Sequence, residues 1–275
     1  MEEKDFLEKI ERAKLPAFPL EKNTMAAKKR FLAEAEKAGG QKRRPVLRLL
    51  AAAALITAFA TTTFYMVDNM NDGSRLNRDG GIWSTYSDYY RGGDSVVWPP
   101  EKETSAGGFV MSAPGFDEKG WAVRVTGTIG TKLNENYNYL GAVMRLKASS
   151  ACPRCEGTDI SGYKGVRFMM KGSLDGGVLQ FVLPYESDEC AQEGNTCRSM
   201  TNYADYSRDI TEFAGDEWVQ VVINFRQGLK QPSWAGRKYS YDIEEVLDKM
   251  HLFKWQYTGK PGSKADFWID DVELF

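Results

Sequence analysis

The sequence predicts an all-β sandwich or barrel over residues 68–275, preceded by one membrane segment and a short tail. Three features predict this: short runs of alternating apolar and polar residues, glycine-rich turns between these runs, and one nineteen-residue stretch without a charge. Many short strands separated by such turns are typical of antiparallel sandwiches and barrels. Hydrophobic residues make up 42% of the chain and charged residues 27%, which are ordinary values for a folded protein.

Charge is distributed unevenly along the chain, although the net formal charge is only −2. Residues 1–48 contain 13 Lys/Arg and 8 Asp/Glu, whereas residues 49–275 contain 23 and 30. The acidic C-terminal part argues against a nucleic-acid surface, which needs clustered cations. Residues 1–45 are predicted to be a cytoplasmic tail, partly helical or disordered, because their helical patterns lack a wide apolar face. A cytoplasmic protein partner for this tail is an open alternative.

Residues 46–67 are predicted to form a single transmembrane helix. The uncharged stretch 49–67 just reaches the length of a bilayer span, and four cations precede it, at Lys42, Arg43, Arg44 and Arg48. The positive-inside rule then leaves the N-terminus in the cytoplasm and places the C-terminal domain outside the cytoplasmic (inner) membrane. The alternative is a signal peptide cleaved after Ala60, at an Ala-x-Ala sequence, which would release a secreted domain.

Strands are predicted where alternation is strongest, at 121–125, 140–146, 166–170, 178–183, 218–225 and 267–274. A short helix is predicted over 242–250, before the penultimate strand. Four tryptophans in strand-like runs are expected to fill the core: Trp83, Trp121, Trp218 and Trp268.

Two short motifs bracket the predicted strands, GGIWSTYSD at 80–88 and DFWIDDV at 266–272. With these motifs, residues 64–275 resemble the jelly-roll domains of the galactose-binding-like superfamily. The resemblance is to carbohydrate-binding modules of family 11 and to complex I intermediate-associated protein 30 domains. It implies a jelly-roll β-sandwich that binds a polysaccharide or oligosaccharide without transforming it.

Candidate ligand-binding residues lie in polar loops or at polar positions of strands. Sugars stack their C–H faces on aromatic rings, and their hydroxyl groups need polar partners. The candidates are Arg167, Gln180, Tyr185, Tyr203, Asp205, Tyr206 and Trp234, and Gln256 could join them. The resemblance implies that the loop after Cys197 and the segment Gln231-Pro-Ser-Trp234 line the glycan cleft. The alternative for each candidate is a solvated or structural role.

The resemblance also implies a structural calcium ion. Related domains open with an acidic stretch and close with an Asp-Asp pair, and the corresponding candidates here are Asp68, Asp72 and Asp271. Carboxylate oxygens are the ligands that Ca²⁺ prefers. However, Asn69 and Asn71 stand where relatives usually have acids, which lowers the local charge. The alternative is that these acids cap strands or face water.

The four cysteines, Cys152, Cys155, Cys190 and Cys197, all follow the uncharged stretch. An even number of cysteines in an exported domain predicts disulfides, and of the three pairings we favour the local ones, 152–155 and 190–197. A four-thiolate zinc site and a redox pair are the alternatives, but the spacing of the second pair does not match a zinc ribbon.

No catalytic pattern accompanies these candidates. The single histidine, His251, has no serine or cysteine partner in its context, and the acidic cluster Glu212, Asp216 and Glu217 precedes a strand in what resembles a turn. The sequence therefore predicts a non-enzymatic, membrane-tethered carbohydrate-binding sandwich. The alternative is a membrane-anchored sensor or assembly protein, whose sandwich binds a protein or ligand while its tail contacts a cytoplasmic partner.

Overall fold

The computed structural model describes residues 64–101, 108–133, 137–148, 156–190 and 197–275. The chain divides into two units, Met1–Thr61 and Thr62–Phe275, and all described residues belong to the second. The predicted tail, residues 46–63 of the predicted transmembrane segment, and the pair Cys152 and Cys155 lie outside the described residues. Within the described ranges, no helix combines the length and the apolar character needed to cross a bilayer.

The described part of the chain forms short strands joined by turns, with a few one- or two-turn helices. The strands are β1 Tyr65–Asp68, β2 Trp83–Ser87, β3 Val96–Trp98, β4 Val123–Thr128, β5 Tyr139–Arg145, β6 Gly165–Leu174, β7 Val178–Leu183, β8 Glu186–Cys190, β9 Cys197–Ser199, β10 Tyr206–Asp209, β11 Val219–Asn224, β12 Leu252–Thr258 and β13 Lys264–Leu274. The α-helices are α1 Phe225–Gly228, α2 Gly236–Tyr239 and α3 Ile243–Asp248.

Two antiparallel sheets form a sandwich, which confirms the predicted all-β class. Sheet I has the strand order β11-β6-β13-β4-β3, with β1 also paired to β13. Sheet II has the order β10-β7-β12-β5-β2, and β8 and β9 form a separate two-stranded ribbon. Neighbours in each sheet are mostly far apart in sequence, so both sheets depend on long-range pairing.

Alternation along the strands explains the core. In β12, for example, Phe253, Trp255 and Tyr257 are buried, while Lys254 and Gln256 between them face outward. The buried rings of the two sheets meet in one aromatic cluster, in which Trp255 of sheet II contacts Phe168 of sheet I at a centroid distance of 5.4 Å. Burial of side chains of this size, at about 2–3 kcal/mol each, is the main stabilising contribution.

The first sequence motif has a steric explanation. A Cβ on Gly81 would lie 1.9 Å from the carbonyl oxygen of Arg145, and Gly80 has a left-handed φ of 76°. The buried Asn77 side chain fixes the same turn, because its Oδ1 accepts the Gly81 N–H at 2.7 Å and its Nδ2 donates to the Arg145 carbonyl at 2.8 Å. The glycines therefore let β2 approach β5 closely.

Most predicted elements are present. Each of the six predicted strands corresponds to an observed one, although the first begins at Val123, and the predicted helix contains α3. β1 begins at Tyr65, close to the start of the resemblance at residue 64 and inside the predicted transmembrane segment 46–67. The expectation for the tryptophans was wrong for three of four: Trp83 is buried, but Trp121 is exposed, and Trp218 and Trp268 are half-buried outside the core.

Candidate functional site

The outward face of sheet II carries a row of four polar side chains and one glycine that crosses all five strands. Strand register aligns Asp209 with Gln180, Gln180 with Gln256, Gln256 with Gly141, and Gly141 with Tyr86. The Tyr86 hydroxyl donates to Gln256 Oε1 at 3.1 Å, across the position of Gly141. A Cβ on Gly141 would lie 2.1 Å from the Trp255 carbonyl oxygen and 3.0 Å from the Tyr86 ring. The glycine therefore permits this contact, and the row offers hydroxyl, amide and carboxylate groups.

Aromatic and cationic groups flank this row. The Tyr86 and Tyr139 rings lie 5.7 Å apart, and the Lys254 ammonium lies 5.7 Å from the centre of the Tyr86 ring. Burial raises the pKa of Tyr86 well above its ordinary value. Burial also raises the pKa of Tyr139, and the charge of the Arg91 guanidinium partly opposes that shift. Both tyrosines therefore stay neutral and act as hydrogen-bonding groups over the whole physiological pH range.

Two carboxyl groups border the face beside Lys254. Burial raises the pKa of Asp205, and the positive charge of Lys254 opposes this shift. Asp205 also accepts a hydrogen bond from the Thr201 hydroxyl. Burial also raises the pKa of Glu186, and Lys254 and Arg145 oppose this shift. One oxygen of Glu186 is buried and has no hydrogen-bond partner among the described residues. Lys254 is thus an electrostatic neighbour of two carboxyl groups whose pKa values burial raises.

Tyr203 lies at the tip of the loop between β9 and β10. Asn202 and Tyr203 both have left-handed φ angles, 51° and 67°, and the Tyr203 N–H donates to Ser199 Oγ at 2.9 Å. This turn leaves the Tyr203 ring 59% exposed, with the Arg91 guanidinium 4.2 Å from its centre. Arg91 follows β2, at the opposite edge of sheet II from β10. The Tyr203–Arg91 contact therefore joins elements from the two edges of the sheet, and both side chains are among the Coulombic neighbours of Tyr139.

Gln231 positions the segment that contains Trp234. Its Nε2 donates to the carbonyl oxygens of Ala204 at 2.6 Å and Tyr239 at 3.0 Å, and its Oε1 accepts the Tyr241 N–H at 3.1 Å. The predicted Gln231–Trp234 segment is therefore attached to the Tyr203 loop. Trp234 itself is 61% exposed, so its indole is free to contact a ligand.

Two predicted residues have structural roles. The Tyr185 ring packs on Tyr241 with centroids 5.0 Å apart, and the Tyr206 hydroxyl donates to the Tyr241 carbonyl at 2.9 Å. Both tyrosines are partly buried against the core. They hold the segment around Tyr241 in place and support the loops at the edge of sheet II.

Arg167 does not join the candidate site. It lies on β6 in sheet I, where it forms an ion pair with Glu273 at 2.7 Å and stacks on the Phe64 ring at 4.2 Å. Of the predicted ligand-binding residues, the structure brings Gln180, Tyr203 and Asp205 to sheet II, together with Gln256, and it attaches the Trp234 segment beside them.

Sequence reasoning missed Tyr86, Tyr139, Lys254 and Glu186. The signal for Tyr86 and Lys254 was present in the alternation. Tyr86 lies between the buried positions Thr85 and Ser87 of β2, and Lys254 lies between the buried Phe253 and Trp255 of β12. Tyr139 and Glu186 begin their strands, where no complete alternation precedes them.

The predicted calcium ligands lie in an acidic region beside the β13 bulge, but they do not group into a cation site. Burial raises the pKa of Asp68 and Asp271, and the neighbouring acid Asp72 adds to the shift at Asp68. Carboxylate oxygens are nevertheless the donor atoms that a hard cation prefers. Within the described ranges, however, no three His, Cys, Asp or Glu side chains come close enough to hold a metal. Asp72 already accepts the Ser74 N–H at 2.8 Å.

Asp68 has a structural role independent of any ion. The residue is 7% exposed, its Oδ1 accepts the Met70 N–H at 2.9 Å, and its Oδ2 accepts the indole N–H of buried Trp83 at 2.8 Å. We expect Asp68→Ala to lower the free energy of unfolding by about 1–3 kcal/mol, because it leaves a buried indole N–H unpaired. Urea unfolding in chelator measures this loss.

Asp72→Ala is the matched control for Asp68, because Asp72 lies in an exposed turn. It should change stability by less than about 0.5 kcal/mol in chelator. The opposite result would be that both variants are as stable as the wild type in chelator and less stable than the wild type only in calcium. Asp68 would then have no structural role of its own, and calcium ligation would be favoured.

The backbone places two of the predicted disulfide cysteines opposite each other. Cys190 of β8 and Cys197 of β9 are direct partners in the ribbon register. This register suits the predicted local pairing, which stays a prediction, as does the pairing of Cys152 with Cys155 outside the described residues.

Comparison with solved structures finds carbohydrate-binding modules. The family 11 module of the cellulase Lic26A-Cel5E of Clostridium thermocellum is 15% identical over 78% of this chain and 96% of its own, with a TM-score of 0.44. A structure of the family 11 module from the same organism with a β-1,3-1,4-mixed-linked tetrasaccharide is 16% identical over 78% and 97%, with a TM-score of 0.43. The family 30 module of the C. thermocellum cellulase Cel9D-Cel44B is 12% identical over 78% and 97%, with a TM-score of 0.44.

These similarities agree with the resemblance predicted from the two sequence motifs. The chain matches no protein-family profile and no curated protein. The case for a ligand therefore rests on the residues of sheet II and its loops.

Proposed function

We propose that the sandwich binds a carbohydrate chain, without catalysis, along the outward face of sheet II and the Tyr203 loop. The observation that carries this proposal is the polar row from Asp209 to Tyr86, which crosses five strands. Adjacent strands lie about 4.8 Å apart, so the row spans about 19 Å, the length of several sugar units. Its amide and hydroxyl groups suit an uncharged, hydroxyl-rich ligand.

Exposed aromatic rings at the margin of this face supply the second element of sugar binding. Tyr203, Tyr89 and Tyr90 are exposed, and the Tyr203 ring lies against Arg91, which directly follows Tyr90 after β2. Exposed ring faces stack on the C–H faces of sugars, while the polar row orients the hydroxyl groups. The ligand therefore approaches across the loop tips, because the rings of Tyr86 and Tyr139 are already half-buried.

Glycoside hydrolysis is the second candidate, because Glu186 and Asp205 are two carboxyl groups with raised pKa values beside the same face. A glycosidase needs its two carboxyl groups on either side of the scissile bond. Here Lys254 is the shared electrostatic partner of both acids, and Thr201 already binds Asp205. These contacts favour a structural role for Glu186 and Asp205, in which they position Lys254 and the loop between β9 and β10, over a catalytic role.

Electrophoresis of the full chain in gels that contain different soluble polysaccharides tests the proposal. We expect retardation by one class of glycan, and a loss of about fivefold to tenfold in affinity for Tyr203→Ala, because one stacking partner is removed. Gln256→Ala should weaken binding by removing an amide from the polar row. The exposed Trp98, on β3 of sheet I, supplies the control Trp98→Ala, which should bind as the wild type does.

The same samples test hydrolysis, since released reducing ends are measured after incubation with each glycan. We expect none above the background of Glu186→Gln. Release by the wild type alone would favour the glycosidase. If no glycan retards the protein, and the protein is shown to be folded, the carbohydrate-binding proposal is wrong and a sensor or assembly domain is favoured.

We also propose that the domain is held at the outer side of the cytoplasmic membrane through residues 46–63. The absence of charge in residues 49–63 and the four preceding cations support this location. Mass spectrometry of the mature protein separates an intact anchor from cleavage after Ala60. Calcium as a structural ion is likewise a proposal, supported by the acids beside the β13 bulge.

A further inference from the structure

The contact between Arg91 and Tyr203 connects two segments that are far apart in the sequence. Arg91 ends the turn that follows β2, whereas Tyr203 lies in the loop between β9 and β10. The guanidinium lies 4.2 Å from the centre of the ring, and both side chains are exposed. Both are also electrostatic neighbours of Tyr139, an outward residue of β5. The Arg91–Tyr203 pair therefore lies beside the polar row, on the same face of sheet II.

The backbone that carries Arg91 is held by a buried carboxylate. Asp88 begins this turn, is fully buried, and accepts the Ser95 N–H at 3.0 Å and the Tyr139 N–H at 3.3 Å. A Cβ on Gly93 would lie 2.1 Å from Asp88 Oδ1, so the chain that leaves the turn packs directly against the same carboxylate. The backbone of Arg91 therefore has a defined position relative to β5.

The tip of the Tyr203 loop has less support. Thr201 and Ala204 are fully buried, but Asn202 and Tyr203 between them are exposed. Both exposed residues have left-handed φ angles, which a tyrosine rarely adopts unless its surroundings maintain them. Among the described residues, the Tyr203 hydroxyl has no hydrogen-bond partner and the ring has no aromatic neighbour. The Arg91 guanidinium is therefore the contact that orients the Tyr203 ring.

We propose that Arg91 is a positioning residue for glycan binding, which holds one face of the Tyr203 ring and leaves the other face open to a sugar. This inference rests on the proposed function, in which Tyr203 is a stacking ring. Arginine suits the role, because its planar guanidinium stacks on aromatic rings and stays charged at every physiological pH. A ring that is already oriented loses less conformational entropy when the ligand binds. Arg91 therefore strengthens binding through Tyr203, without a contact of its own to the sugar.

Affinity for the soluble polysaccharide that retards the wild-type full chain most strongly tests this role. We expect Arg91→Ala to weaken binding by about twofold to fivefold, the size of an exposed cation–π contact. In the Tyr203→Ala background, the same substitution should have no further effect, because the ring that Arg91 orients is absent. Arg91→Lys should restore only part of the loss, since an ammonium group keeps the charge and lacks the planar stacking surface.

Arg78 supplies the matched control. Its exposed guanidinium lies 5.2 Å from the ring centre of Tyr65, on β1 of sheet I, so Arg78→Ala removes the same kind of contact away from the glycan face. This variant should bind the polysaccharide as the wild type does. An equal loss for Arg91→Ala with and without the Tyr203 ring would overturn the positioning role, because Arg91 would then act on the sugar directly. Unchanged or tighter binding by Arg91→Ala would also overturn it.

Limited proteolysis of the full chain by chymotrypsin, without glycan, tests the orientation of the ring by itself. We expect cleavage after Tyr203 to be about twofold to fivefold faster in Arg91→Ala, because cleavage follows the population in which the loop tip has left its partner. Cleavage after Trp234, which is also exposed, should be unchanged. If no variant binds any glycan, the proposed function itself fails. If the wild type binds a glycan but Arg91→Ala changes neither binding nor cleavage, only the positioning role fails.

Discussion

Replacement of Trp255 by alanine is expected to lower the free energy of unfolding by about 3–5 kcal/mol, which is the largest effect we expect from one substitution. Trp255 is 0% exposed, and its ring contacts Trp83 at 5.2 Å and Phe168 and Phe181 at 5.4 Å. Because Phe168 belongs to sheet I and the other rings to sheet II, alanine would leave a cavity between two sheets that strand pairing holds in place. Urea unfolding followed by circular dichroism measures the loss.

Two controls separate cavity formation from the loss of an indole in general. Trp234→Ala removes an indole that is 61% exposed and should cost far less. Trp255→Phe keeps most of the packing and removes an indole N–H that has no hydrogen-bond partner in the described part of the chain, so it should cost less than alanine. A loss of about 0.5 kcal/mol or less for Trp255→Ala, the size expected of a surface substitution, would contradict the interlocked core.

In chelator, the contribution of Asp270 to stability is expected to fall as pH rises from about 4 to about 6. Burial raises the pKa of Asp270 from 3.8 to about 6, its neighbours Asp271 and Asp68 add to the shift, and the N–H groups of Phe116 and Asp271 oppose it. The folded state therefore holds the proton more tightly than the unfolded state. The stabilisation is fully present below pH 3.8 and is lost through pH 6, and it amounts to about 2–3 kcal/mol.

The variant Asp270→Asn isolates this effect from other carboxyl groups. The amide cannot ionise, so the stability of the variant relative to the wild type should increase between pH 4 and pH 6, whatever its constant cost for losing one acceptor oxygen. Parallel pH profiles for the two proteins in chelator would show that Asp270 does not titrate in this range. Calcium that restores wild-type stability above pH 6, and has no effect on the variant, would support an ion at these acids.

Strict alternation predicted the central strands well, because a strand buried on one side shows its period in the sequence. The residues 178–183 coincide with β7, and 267–274 lie within β13. The ranges did not include β1 to β3, β8 to β10 or β12. Except for β12, a central strand of sheet II, these are strands of three to five residues that lie at sheet edges or in the ribbon, where pairing partners determine them more than their own alternation.

The candidate site could be predicted only in part for the same reason, because strand pairing is not visible in the sequence. Alternation indicated correctly that Gln180 and Arg167 point outward, but a sandwich has two outward faces, and period two does not distinguish them. The register places Gln180 on sheet II and Arg167 on sheet I. The apolar character of the tryptophans suggested that they are buried in the core. On the outward face, however, the Trp268 ring contacts Arg124 and Lys171, and the Trp218 ring contacts Lys171. Pairs of this kind become visible only when strands are aligned.

The position of β13 constrains how the domain is made in the cell. This strand lies between β6 and β4 and also pairs with β1, yet every one of these partners precedes it in the chain. A nascent polypeptide that has not yet reached residue 264 therefore holds β4 and β6 without their common neighbour. Sheet I therefore closes only after residues 264–274 have been synthesised, and until then the facing edges of β4 and β6 keep unpaired backbone groups that can pair with other chains.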